Sequence, residues 1–272
     1  MAQIPDLTDR AALTRNRVRA TAFFLHDAAV AEIKERLAEV NRKFTAPAIV
    51  TGFPNIWADA FPGATIVVDD EVLALEPGAH DLVIHGLSLH WAADPVGQLV
   101  QCRRALAPDG LMIAVLFGGQ TLAELRAVLA GAEAAETGGL SPRVLPMAEL
   151  RDLGGLLQRA GFALPVADTH SLTVTYADLR ALMRDLRAMG EGNALAGRLR
   201  HPTRRGLFAR AAALYPQSFP ATGGRIAASF ELMFLTGWAP ADSQPRALRP
   251  GSAAQKLADA LGVAERPLPG HD

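Results

Sequence analysis

The sequence of 272 residues predicts an α/β fold built on a mostly parallel sheet. Short apolar runs rich in β-branched residues alternate with helical patterns through its first half. Leu111 to Phe117 is an uninterrupted apolar run of the kind buried on both faces of a sheet. Arg225 to Trp238, with Phe230, Leu232, Phe234 and Leu235, reads as one long closing strand after a helical stretch.

From Met1 to Arg19 polar and apolar residues alternate, Asp6 and Asp9 among them, without the apolar block of a secretory signal. Thr21 to Lys43 sets Leu25, Ala29, Ile33, Leu37 and Val40 at steps of three and four, the mark of an amphipathic helix lying on a core. Ala48 to Thr51, stopped by Gly52, and Ala64 to Val68, stopped by Asp69-Asp70, read as buried strands with a short helix over Pro54 to Phe61 between them. Asp81 to Gly86 is a third strand. Pro95 opens a helix running to Leu106, since a first helical turn has no use for the missing N–H. Pro108-Asp109-Gly110 signals a turn before the Leu111 strand. Leu122 to Ala135 and Met147 to Ala160 are helical patterns, the second stopped by Gly161. Leu172 to Thr175 alternates like a strand, Tyr176 to Met189 and Arg204 to Tyr215 read as helices, and Ala253 to Leu261 as a short helix in a Pro-rich tail. The organisation predicted is a helical segment at 1–45 packed on the core, a main domain at 46–238 with a helical insertion at about 176–217, and a tail at 239–272.

Lys plus Arg number 27 against 28 for Asp plus Glu, a net charge of -1, so no global field draws nucleic acid or an anionic membrane. Cys102, the single cysteine, excludes an intrachain disulfide and multi-thiolate metal sites and fits a reducing compartment. No apolar run reaches the roughly 18 residues of a membrane span. The expectation is a cytoplasmic protein.

Ligands of an open parallel sheet bind beyond the carboxyl ends of its strands. Those positions are Thr51-Gly52-Phe53, Asp69-Asp70-Glu71, His85-Gly86-Leu87 and Gly118-Gly119. Asp69 or Asp70 offers a carboxylate able to accept hydrogen bonds from two ribose hydroxyls, the alternative being a plain strand-ending turn. His90 is a general base near neutral pH or a packing residue, and Trp91 is the floor of a substrate pocket or part of the core. His80, His85 and His90 recur at a spacing that suits neither one helix face nor a compact metal triad, so no metal site is expected. Arg198, Arg200, His201, Arg204, Arg205 and Arg210 form a basic cluster that is either a solvated face or a dock for an acidic protein partner. Gly190, Gly192 and Gly197 would hinge a lid.

Leu87-Ser88-Leu89-His90-Trp91 with Asp94-Pro95, then Arg104 to Gly110, resembles the fourth strand, fourth helix and fifth strand of class I S-adenosylmethionine-dependent methyltransferases. Phe117 to Leu122, Gly138 to Pro142, Arg151 to Gly154, Gln158 to Phe162 and Met183 to Glu191 are similar to a narrower branch of that family. It contains the respiratory complex I assembly factor 5 proteins and relatives of the malonyl-carrier-protein methyltransferase of biotin synthesis. The match runs from about Thr8 to Trp238.

The resemblance implies a Rossmann-like methyltransferase sandwich with S-adenosylmethionine as cofactor. Thr51, Gly52, Phe53, Asp69, Asp70, Glu71, His85 and Gly86 are then the cofactor-binding candidates, and His90 and Trp91 the substrate-binding ones. Three functions follow from it: methyl transfer, with proximity rather than a strong base doing the work; non-catalytic assembly of respiratory complex I, with a complex I subunit as partner; and arginine hydroxylation on such a subunit. For the last, the sequence has no recognisable two-His-one-carboxylate iron triad.

The departure from the family concerns its Asp-x-Gly-x-Gly-x-Gly turn, which lets backbone N–H groups approach the methionine end of the cofactor. Here Val50 to Asn55 keeps Gly52 alone, Phe53 adds bulk and Pro54 removes a donor. The short interval before Asp69-Asp70 implies that a strand and a helix are missing or merged, with Asp70 to Leu75 resembling the segment after the third strand. Cofactor binding is expected to be weak or lost.

Overall fold

A computed structural model of the chain describes residues 6–245; Met1–Pro240 falls in one compact unit and Ala241–Asp272 in another. The helix expected at Ala253 to Leu261 lies outside the described residues. The strands are β1 (Pro47–Thr51), β2 (Thr65–Val68), β3 (His80–Gly86), β4 (Leu106–Phe117), β5 (Ala163–Tyr176), β6 (Pro220–Ala221) and β7 (Arg225–Trp238). They form a seven-stranded sheet of order β2-β1-β3-β4-β7-β5, with β6 paired to β7. β2, β1, β3 and β4 are parallel, and β7 runs antiparallel to both β4 and β5. This is the Rossmann-like, mostly parallel architecture that the strand pattern predicts.

The helices are α1 (Arg10–Val18), α2 (Phe24–Glu39), α3 (Pro54–Ala60), α4 (Pro95–Ala105), α5 (Ala123–Thr137), α6 (Leu150–Arg159), α7 (Leu179–Ala188) and α8 (Arg205–Ser218). Side chains alternate across β4. Ile113 and Val115 join a core with Ile33 of α2, Leu125 of α5, Leu182 of α7 and Tyr215 of α8. Met112 and Ala114 face the other way, against Leu99 of α4 and Leu157 of α6. Helices thus cover both faces, and every residue from Leu111 to Phe117 is buried. Among the described residues no helix is long and apolar enough to cross a membrane.

Two strands begin earlier than the sequence reading places them, and α1 is a helix that it does not contain. Pro108 to Gly110 is not a free turn but the bulged start of β4, with Asp109 at φ 61°. Backbone bonds from Asp109 N–H to the Ala239 carbonyl (3.1 Å) and from Ala239 N–H to the Gly110 carbonyl (2.8 Å) draw it into the sheet. β5 starts nine positions before Leu172, at Ala163. It is an edge strand, so Pro165, Asp168 and Ser171 sit in it without the apolar run that a central strand needs.

On the opposite edge β2 pairs directly with β1, and among the described residues no strand lies beyond it. α1 crosses the carboxyl edge of the sheet. Thr8 Oγ1 donates to the Trp91 carbonyl (2.8 Å), Asp9 N–H to the Ala194 carbonyl (2.7 Å), and Leu13 is buried in a cluster with Trp91 and Leu195.

Candidate functional site

The parallel strands end side by side, which sets Thr51, Asp69 and Gly86 at one edge. Thr51 Oγ1 donates to the Gly86 carbonyl (3.2 Å) and accepts the Phe53 N–H (3.1 Å), so Phe53 has no backbone donor left for a ligand. The Phe53 ring is buried at the start of α3, edge-on to Phe23 and His26 with centroids 6.0 and 4.5 Å away. Gly86 lies against the Trp57 ring; a Cβ there would stand 2.5 Å from Trp57 Cε2. The Trp57 indole donates to His26 Nδ1 (3.2 Å), and burial pushes the His26 pKa down to about 4.

Asp69 is 2% exposed. Arg17, reaching from α1, donates from Nη1 to Oδ1 at 2.7 Å and from Nη2 to Oδ2 at 3.0 Å. Arg10 adds a 3.5 Å contact to Oδ2 and a 2.7 Å bond to the Asp69 carbonyl. The Arg17 guanidinium occupies the space that a side chain on Gly52 would take, 5.7 Å from the Phe53 ring centroid. Asp70 and Glu71 are exposed, Asp70 Oδ1 meeting Arg10 at 3.3 Å and the Glu71 carbonyl accepting from Gln101 at 2.9 Å. A groove of about 430 Å³ borders Gly52, Asn55 and Asp69, and Arg10 and Arg17 form part of its wall.

A ribose would need the Asp69 lone pairs, and the methionine end of S-adenosylmethionine would need bare N–H groups after β1. This chain turns both Asp69 oxygens to Arg17 and the Phe53 N–H to Thr51. The residues as placed do not fit the cofactor. His85 stands apart from that edge, on the α4 side: it is fully buried, its Nε2 2.7 Å from Gln98 Oε1 and its Nδ1 3.4 Å from Ser88 Oγ. Burial lowers its pKa to about 4.

A short 3-10 turn after β3, Leu89–Trp91, places His90 and Trp91 on a different feature, a cavity of about 240 Å³. Leu125 and Leu129 of α5, Met183 and Leu186 of α7, Phe208 of α8 and Phe230 of β7 make its apolar body. Glu191, just after α7, lines it too. Its Oε2 accepts the Trp91 indole N–H at 2.9 Å and lies 3.7 Å from His90 Nε2. The His90 side chain is 3% exposed, packs 4.8 Å from the Phe117 centroid, and has no hydrogen-bond partner on either ring nitrogen. Burial opposes the charge on Glu191, yet His90, Arg17 and the Trp91 indole outweigh it and hold the carboxyl below its usual range.

Arg10, Arg17 and Glu191 are the residues that reading the sequence for strand ends passes over. Arg17 lies 52 positions from Asp69 and Glu191 lies 100 from Trp91, so no local spacing announces either pair. The basic cluster is partly spent inside the fold. Arg198 and Arg200 each reach Asp9 Oδ2 at 2.8 Å, Arg210 reaches Glu136 at 3.2 Å, and Arg204 and Arg205 are exposed.

No family model matches the chain. It is 35% identical over 229 residues to the arginine-hydroxylase NDUFAF5, mitochondrial, of Danio rerio, covering 84% of this chain and 71% of that protein. The Homo sapiens protein of the same name is 36% identical over 216 residues, 79% of this chain and 62% of its own. The malonyl-[acyl-carrier protein] O-methyltransferase of Laribacter hongkongensis (strain HLHK9) is 36% identical over 188 residues, 69% of this chain and 61% of its own. The chain therefore spans less than two thirds of the last two proteins.

Proposed function

Because this chain belongs to the class I S-adenosylmethionine-dependent methyltransferase-like family that includes the NDUFAF5 proteins and the malonyl-acyl-carrier-protein O-methyltransferases, we propose that it acts by binding a protein partner, with its cofactor cleft closed by its own N-terminal helix. The partner is a subunit of respiratory complex I, and the role is assembly rather than methyl transfer. One observation carries this reading: the Arg17 guanidinium sits on Gly52 and pairs with both carboxylate oxygens of Asp69. Each charge-assisted hydrogen bond denied to the cofactor removes about 1.5–3 kcal/mol, and losing two lowers affinity roughly a hundredfold or more.

Methyl transfer is the second reading, favoured by the groove that remains beside Gly52. It requires the Arg17 side chain to leave, after which placing the acceptor in line with the methyl group would be enough. Hydroxylation of an arginine, the activity in the relatives' name, is an alternative for which no group of three or more His, Cys, Asp or Glu converges among the described residues. The proposed compartment is the cytoplasm, on the single, buried Cys102; the names of the NDUFAF5 relatives place those proteins in mitochondria.

Calorimetric titration with S-adenosylmethionine and S-adenosylhomocysteine decides between the first two readings. The unmodified protein should not saturate in the micromolar range, and Arg17→Ala should bind at least tenfold more tightly. Low-micromolar binding by the unmodified protein would establish an open cofactor site and sink the closed-cleft reading.

A further inference from the structure

We propose that the cavity between α5, α7 and α8 binds a small amphiphilic amine, an ammonium head on an aliphatic or aromatic body. The idea is independent of whether the cofactor cleft is open, because the cavity shares neither Gly52 nor Asp69. Its body is hydrocarbon, lined by Leu125, Leu129, Met183, Leu186 and Phe208, and suits a chain that water rejects. His90, Trp91 and Glu191 form a polar group at one place on its wall, with Thr121, Arg143, Arg187 and Asn193 elsewhere on the lining.

The polar groups choose the head. Glu191, largely buried on the cavity wall, has its carboxyl held below the usual range, with one oxygen held by the Trp91 indole. A carboxylate head would stand against that charge, whereas an ammonium is attracted to it. An ammonium also brings three donors, and His90 is a buried imidazole whose ring nitrogens make no hydrogen bond, its Nε2 facing Glu191 at 3.7 Å. Trp91, Phe117 and Phe230 add aromatic faces on the same wall, which favour a cation further. The arginines on the lining do not cancel this. Arg143 is tied to both Glu133 oxygens, at 2.6 and 3.0 Å, and Arg187 is exposed on the last turn of α7.

The test is calorimetry at pH 7 on the full chain with octylamine, octanol and octanoate, without S-adenosylmethionine. Octylamine should bind at least tenfold more tightly than octanol, and octanoate more weakly than octanol. Glu191→Gln should erase the preference for the amine while leaving octanol binding in place. Phe208→Trp, which narrows the apolar body, should weaken all three ligands. Equal or tighter binding of octanoate, no binding of octylamine, or an unchanged preference in a folded Glu191→Gln protein would each overturn the proposal. Should Glu191→Gln not fold, the order of the three ligands on the unmodified protein decides alone.

Discussion

Arg17 and Asp69, 52 positions apart, meet through two hydrogen bonds of 2.7 and 3.0 Å with both side chains nearly out of water. A paired guanidinium and carboxylate at such burial contribute little beyond an apolar pair of the same shape, but either group left alone is costly. Asp69→Asn should therefore destabilise the protein by about 3–5 kcal/mol in urea denaturation. Arg17→Met combined with Asp69→Leu should cost less than the two single changes together. A loss below about 1 kcal/mol for Asp69→Asn would mean that water already screens the pair.

The two glycines of this edge should respond differently to a methyl group. At Gly52 the added carbon meets the flexible Arg17 side chain, and at Gly86 it meets the fully buried Trp57 ring. Gly86→Ala should cost about 1–3 kcal/mol by overpacking. Gly52→Ala should cost less stability and instead displace the guanidinium, which a crystal structure of the variant would reveal.

Stability should decline as pH falls from about 6.5 to about 4. His26 and His85 have folded pKa values pushed down by burial to about 4, so the unfolded chain takes up their protons first. Their contribution is complete above the unfolded value and is lost as pH drops through that window. For His26 the geometry agrees, since protonating Nδ1 removes the acceptor of the Trp57 indole. His85→Gln should flatten the decline measured by denaturation at pH 7 and pH 5; an unchanged slope would assign the pH response to other groups.

Glu133 gives a second acid-side check. The Arg143 guanidinium holds its carboxyl at about 2, although burial works the other way. Its contribution is therefore present above the ordinary carboxyl range and lost as pH falls toward 2. Glu133→Gln should destabilise by about 1.5–3 kcal/mol at pH 7, the worth of hydrogen bonds to a charged partner, and by much less at pH 2.

How far the sequence speaks depends on the range of the forces involved. β7 runs from Arg225 to Trp238, the bounds that its apolar run predicts, and β4 is buried throughout its apolar run because periodicity is a local record of burial. β5 was legible only at Leu172 to Thr175, because an edge strand need not be apolar and its earlier residues take their order from β7. Strand-end spacing singled out Asp69 and Gly52 but said nothing of their occupant, since Arg17 arrives on a separate helix. His90 and Trp91 were visible beside a strand end. Glu191, which gives their cavity its charge, joins them through contacts that no short window contains.

The position of β7 has a consequence for synthesis. Among the described residues it is the last strand of the sheet to be made, yet it lies between β4 and β5, and β5 pairs with no other described strand. Until Trp238 has left the ribosome, β4 carries an open edge and β5 lacks the strand that it pairs with. Pairings over such sequence separation form slowly, and unpaired edges invite aggregation while they wait. A nascent chain halted before Arg225 would hold two pieces of a sheet without the strand that joins them, and would depend on a chaperone to keep them apart.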